Sequence, residues 1–172
     1  MDSDVDPVLD GPGLGETGTW ELLVGYLRWY RAALHRKLEG LTDAQLRTPL
    51  PPVGWAPLAL VQHLGWMEQR WLVWGFRGES VPARPPGGAA AEWRVELPTD
   101  GILAGYAART ARSDAILAGA AVTDVAAVGG RFSRAATAPS LGRILAHMVQ
   151  EYARHVGQLD IVRELIDGRT GE

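Results

Sequence analysis

The sequence predicts an all-α protein, a four-helix bundle, and three observations carry that prediction. Four segments repeat apolar residues at three- and four-residue steps, the spacing that lines one face of a helix. No segment alternates apolar and polar residues as a half-buried strand does. Stretches rich in Pro and Gly, which interrupt helices, separate the four segments.

Met1–Gly18 is acidic and rich in Gly and Pro, and reads as a flexible tail that buries too little apolar surface to offset chain entropy. The first helix uses Leu23, Leu27, Tyr30, Leu34 and Leu38, with Thr19 as the expected N-cap and Gly40 as its end. Leu41–Leu46 forms one extra short turn, and Pro49, Pro51 and Pro52 then impose an extended connection. The second helix is expected from about Pro57 to Phe76, with Pro57 in its first turn and a stripe of Leu60, Val61, Leu64, Met67 and Trp71. A long loop, Gly78–Pro98, carries Pro82, Pro85, Pro86 and Trp93. The third helix starts near Thr99-Asp100 and uses Ile102, Leu103, Tyr106, Ile116 and Leu117; Gly129-Gly130 makes a turn in the connection that follows. The fourth helix has the longest stripe: Leu141, Ile144, Leu145, Met148, Tyr152, Val156, Leu159, Val162 and Ile166. Ser140 is its N-cap and Gly168 its C-cap. Thr19–Glu172 is thus expected to form a single bundle domain.

Composition narrows the function. The 172 residues suit one hydrophobic core, and 47% apolar with 22% charged residues is the profile of an ordinary globular chain. The net charge is −3 with Lys and Arg scattered, which argues against a nucleic-acid surface. Cysteine is absent, so disulfides, a thiolate nucleophile and Cys-based metal sites are excluded, and thiol chemistry would require a thiol from outside. No signal-peptide pattern and no run of about 20 apolar residues is present, so a cytoplasmic location is expected and no membrane partner. Lys37 is the only lysine among many arginines, a bias of GC-rich genomes such as those of actinobacteria.

Four histidines, His35, His63, His147 and His155, are the candidate ligands. At about 100° per residue from Leu141, the apolar stripe of the fourth helix spans roughly −60° to +80°. His155 falls near −40° and Glu151 near −80°, whereas His147 falls near −120°, roughly outside the stripe. Glu151 and His155 lie one turn apart on one face. An inward carboxylate and imidazole need partners, and a divalent cation supplies one. His63, at the edge of the second helix's stripe, is the best third ligand. The same spacing also serves a simple surface ion pair. His147 reads as a solvated or outer residue and His35 as a surface residue. No phosphate-binding glycine loop and no serine nucleophile elbow is present.

The segment Leu60-Val61-Gln62-His63-Leu64 with Trp66-Met67-Glu68 resembles the second-helix motif of the DinB-like (YfiT-type) superfamily. The segment from Ile144 to Gln158 resembles its final helix. The match is closest to the actinobacterial mini-circle-protein branch, related to mycothiol-dependent maleylpyruvate isomerase; Trp93-Arg94-Val95 and Glu164–Gly168 share that likeness. The resemblance covers Thr19–Glu172. It implies up-down-down-up topology, a common tendency to dimerise, and one metal held by three side chains: His63, Glu151 and His155. Glu151 stands where many relatives have a third histidine, as in the maleylpyruvate isomerase relatives. Three protein ligands leave an open position. The His₂Glu set suits zinc, with nickel, iron or manganese as alternatives. The expected activity is a metal-dependent thiol S-transferase or isomerase, with mycothiol as co-substrate and an electrophilic small molecule as substrate. Trp66, Trp71 and Trp74 are candidates for the walls of an electrophile pocket, or for plain core packing. The competing expectations are a hydrolase that activates water and a non-catalytic, stress-related binding protein.

Overall fold

The computed structural model describes residues 11–170. Its elements are α1 (Thr19–Leu38), α2 (Asp43–Arg47), α3 (Pro57–Glu68), which runs on without a break as a π-helix (Gln69–Phe76), α4 (Thr99–Leu117) and α5 (Leu141–Asp167). Two short 3₁₀ turns, Ala89–Trp93 and Ala135–Thr137, lie in the connections. Among the described residues there are only isolated bridges and no strand, so the chain is an all-helical bundle, as its periodicity predicts. None of the described helices is long and apolar enough to cross a membrane.

The ends of the helices follow local chemistry. Ser140 accepts a hydrogen bond from the Arg143 N–H, and Gly168 closes α5 in the left-handed conformation at φ 76°, both as expected. Thr42 and Gln45 form a reciprocal capping box that nucleates the five-residue α2. Thr19 is not the N-cap of α1: that position is Gly18, and the Glu16 carboxylate accepts the N–H groups of Thr17 and Gly18 instead. Residues 1–10 of the expected tail lie outside the described residues. Pro12 packs so closely on α1 that a Cβ at Gly25 would meet its ring at 2.9 Å.

The expected second helix changes pitch at Glu68. From Gln69 to Phe76 the backbone bonds span five residues, and at its end the Arg77 N–H donates to Leu72 O at 3.0 Å. The wider turn buries Leu72, Val73, Gly75 and Phe76. It leaves Trp71, assigned by simple periodicity to the stripe, only half-buried. Carbonyls at the π-helix end are met by the 127–131 connection, where Ala127 N–H donates to Phe76 O and Arg131 N–H to Trp74 O. Gly130 permits this approach, because a Cβ there would lie 2.1 Å from Trp74 O.

Leu27, Leu34, Leu60, Leu64, Leu117, Leu145 and Met148 form the centre of the core. A buried polar knot crosses it. Arg31 of α1 makes a two-pronged pair with Glu68 (2.8 and 2.7 Å) and reaches Asp114 of α4 at 2.7 Å. The Tyr152 hydroxyl of α5 donates to Glu68 at 2.8 Å, and Tyr106 of α4 lies 2.8 Å from Tyr152. Four helices therefore meet at Glu68. The contacts also give the helix directions around the site. His63, Glu68 and Trp71 of α3 and its extension pair in turn with His155, Tyr152 and His147, so this helix runs opposite to α5.

Candidate metal centre

α5 presents Glu151 and His155 one turn apart, and the antiparallel α3 brings His63 to the same level. One donor atom from each of the three lies within 4.8 Å of the others. Their side chains are only 13–19% exposed, at the rim of the core. His63 and His155 meet edge to face, with ring centroids 5.0 Å apart. Donors bound at about 2.0–2.2 Å around a tetrahedral ion lie about 3.3–3.6 Å apart. Binding one ion would therefore draw these three side chains together by about 1 Å.

Each imidazole is held by its other nitrogen. His63 Nδ1 lies 3.0 Å from Glu92 Oε2, a carboxylate that is itself buried and receives Arg70 Nη1 at 2.5 Å on its second oxygen. His155 Nδ1 lies 3.0 Å from Gln158 Oε1. An Nδ1–H donated to each of these oxygens would leave both Nε2 lone pairs for a metal. Burial, reinforced by the neighbouring His63, moves the His155 pKa down and favours the neutral, ligating form. Burial would raise the Glu92 pKa, but the His63 hydrogen bond and the Arg70 charge outweigh it and keep the carboxyl below its usual range. Glu92 is thus an anion at neutral pH, able to orient His63.

The turn that carries Glu92 is itself pinned. Gln62, next to His63, donates from Nε2 to the carbonyls of Ala91, Glu92 and Arg94. Trp93 then stacks on His63 with centroids 4.4 Å apart and planes 20° apart. The long Gly78–Pro98 loop thereby becomes one wall of the site. Reading the sequence did not place Glu92, Arg70 or Gln158 there. Only Gln158 had a local signal, lying one helical turn beyond His155.

The remaining expected residues divide. His147 Nε2 is 3.9 Å from Glu151 Oε1, and its ring rests on Trp71 with centroids 4.4 Å apart, so it adjoins the triad. Burial lowers its pKa as well. His35 is exposed, its ring edge-on to Tyr106. Trp71 and Trp74 lie beneath the Arg131 guanidinium, at 4.1 and 5.8 Å. Trp66 lies beneath Arg109 of α4 at 4.1 Å. Of the three tryptophans, Trp71 is the one that reaches the site, through His147.

No curated protein matches this chain. A protein-family model does, that of Mycothiol-S-transferase, over residues 22–168. The matched span runs from the first turns of α1 to the C-cap of α5 and includes every residue of the triad. It agrees with the DinB-like, mycothiol-related likeness seen in α3 and α5, and the chain belongs to the mycothiol S-transferase family.

Proposed function

We propose that the protein transfers a low-molecular-weight thiol, mycothiol, to an electrophilic small molecule at a divalent metal centre formed by His63, Glu151 and His155. The observation that carries this reading is the donor set itself: two imidazoles with their Nδ1 atoms occupied, beside a carboxylate, from two facing helices. A bound divalent ion would supply positive charge that favours ionisation of an incoming thiol. The family match supports the choice of thiol. The absence of cysteine supports an external nucleophile over a protein thiolate.

The chain's own groups do the rest. Glu92 and Gln158 hold the two ligand rings, while Gln62 and Trp93 keep the 3₁₀ turn over His63. Trp93 stacks on His63, and Trp71 on the His147 ring that adjoins Glu151, so indole rings lie beside the donors and would limit water near the nucleophile. The reading places the protein in the cytoplasm, where small thiols are kept reduced. Zinc is the preferred ion for this ligand set.

The experiment is turnover of a chloro-dinitroarene with and without mycothiol, accompanied by metal analysis. We expect thiol-dependent formation of the thioether with release of chloride, and loss of bound metal in the His63→Ala, His155→Ala double variant. Turnover that ignores the thiol would replace transfer by hydrolysis. Equal metal content in both proteins would remove the centre.

A further inference from the structure

A second site lies between α3, α4 and the Pro-rich loop. Gln62 and Trp66 of α3, Pro85, Pro86 and Leu97 of the loop, and Gly101, Ile102, Gly105, Tyr106 and Arg109 of α4 line a partly open pocket of about 230 Å³. Its walls are apolar apart from Gln62, whose amide is committed to the Ala89–Trp93 turn, and Arg109. Arg109 rests on the Trp66 ring at 4.1 Å, and its Nη1 donates to Gly105 O at 3.0 Å. Its Nε is buried and has no acceptor. Among the described residues no carboxylate pairs with it. Glu79, which lines the adjoining cleft on the other side of Arg109, is taken by Arg112 at 2.7 Å. Burial alone disfavours the charged form. A partly buried cation without an anion, beside a partly open apolar pocket, is an incomplete arrangement.

We infer that this pocket binds a small planar organic carboxylate, with the anion on the guanidinium of Arg109 and the apolar body between Trp66 and the prolines. One cation suits a monoanion. A carboxylate spanning Nε and Nη2 would give the orphaned Nε its acceptor in the fork geometry that guanidinium favours, after a small rotation over Trp66. The glycines make room. A Cβ at Gly105 would meet Arg109 Nη1 at 3.0 Å, whereas at Gly101 its nearest neighbours, Pro98 and Leu97, are 3.9 and 4.0 Å away. The site uses none of the three proposed metal ligands, shares only Gln62 with their surroundings, and stands whether or not the thiol-transfer reading does.

Calorimetric titration of the full chain with benzoate, with benzamide as the uncharged isostere and inorganic phosphate as the bare anion, tests it. We expect saturable, equimolar benzoate binding and at least about tenfold weaker binding of benzamide. Arg109→Gln should weaken benzoate by about tenfold or more. Gly101→Val, which narrows the pocket at its rim away from Arg109, should weaken benzoate by about tenfold or more while leaving the circular dichroism spectrum unchanged. The His63→Ala, His155→Ala variant should bind benzoate as the parent does. Benzamide binding as well as benzoate, full affinity in the folded Gly101→Val variant, or phosphate binding as tightly as benzoate would overturn the proposal.

Discussion

Glu92 serves two partners, accepting from His63 on one oxygen and from Arg70 on the other. Removing its charge while keeping its shape should leave the fold in place and loosen His63. We therefore predict that Glu92→Gln lowers metal affinity by about 10–100-fold, read by competition with a chromogenic chelator. An unchanged affinity would mean that His63 needs no orienting carboxylate. Glu68 stands at the opposite extreme, fully buried and paired with Arg31. Truncating it leaves the buried Arg31 guanidinium with only the partly exposed Asp114 and takes the acceptor from the Tyr152 hydroxyl, so Glu68→Ala should cost about 3–5 kcal/mol in urea unfolding. Replacing both partners by apolar residues of similar volume, Arg31→Met with Glu68→Leu, should cost clearly less. A double variant as unstable as the single one would show that the knot contributes more than mutual charge compensation. Glu92→Gln, unlike Glu68→Ala, keeps an oxygen to which Arg70 can still donate, beside its longer contact with Ala83 O.

At the scale of elements, the π-helical extension and the 127–131 connection depend on each other. Trp74 O and Phe76 O find donors in that connection, and Gly130 leaves the space for it. Gly130→Ala would force backbone apart rather than a flexible side chain. We expect a loss of about 1–3 kcal/mol by thermal or urea unfolding. Arg131 should also loosen from Trp71, visible as altered tryptophan emission. Wild-type stability in that variant would mean that the contact yields easily. The helix ends of α5 show how such features differ in legibility. Ser140 and Gly168 announce themselves, because capping depends on residues a few positions apart. The change of pitch after Glu68 does not, since eight residues of ordinary helical pattern are compatible with either winding.

For the molecule as a whole, acidification should act through the site. His155 has a pKa below its unfolded value, so its neutral form stabilises the fold above about pH 6.5 and that contribution falls as pH drops through the depressed value. Glu92, also depressed, contributes above the usual carboxylate range and loses its contribution at still lower pH. Protonation of either also opposes metal binding. We predict that the metal-loaded protein has a higher Tm than chelated protein near pH 7.5, and that the difference shrinks toward pH 5. A pH-independent difference would place the stabilising ion elsewhere. Size measurement in solution adds an independent check on the dimer expected from the family resemblance.

What the sequence determined by itself was everything that depends on near neighbours along the chain. The four long helices, the caps of α5 and the pairing of Glu151 with His155 all follow from spacings of three and four residues. His63 could be nominated from its place on the second helix's stripe, and the resemblance selected it. Only the packing of α3 against α5 puts its ring 5.0 Å from His155. Glu92 lies 29 residues from His63, and Arg31 lies 37 from Glu68. Such pairs carry no periodic signature, because a hydrogen bond across the core constrains positions in space and not their separation in sequence. The proposed metal centre was thus named from the sequence with all three donors, and the tertiary structure brought them together and added the groups that orient the rings and the tryptophan beside His63. The same reasoning explains Arg109, which no spacing in the sequence singles out. Only the fold sets it on Trp66, against a partly open apolar pocket and, among the described residues, without an acid.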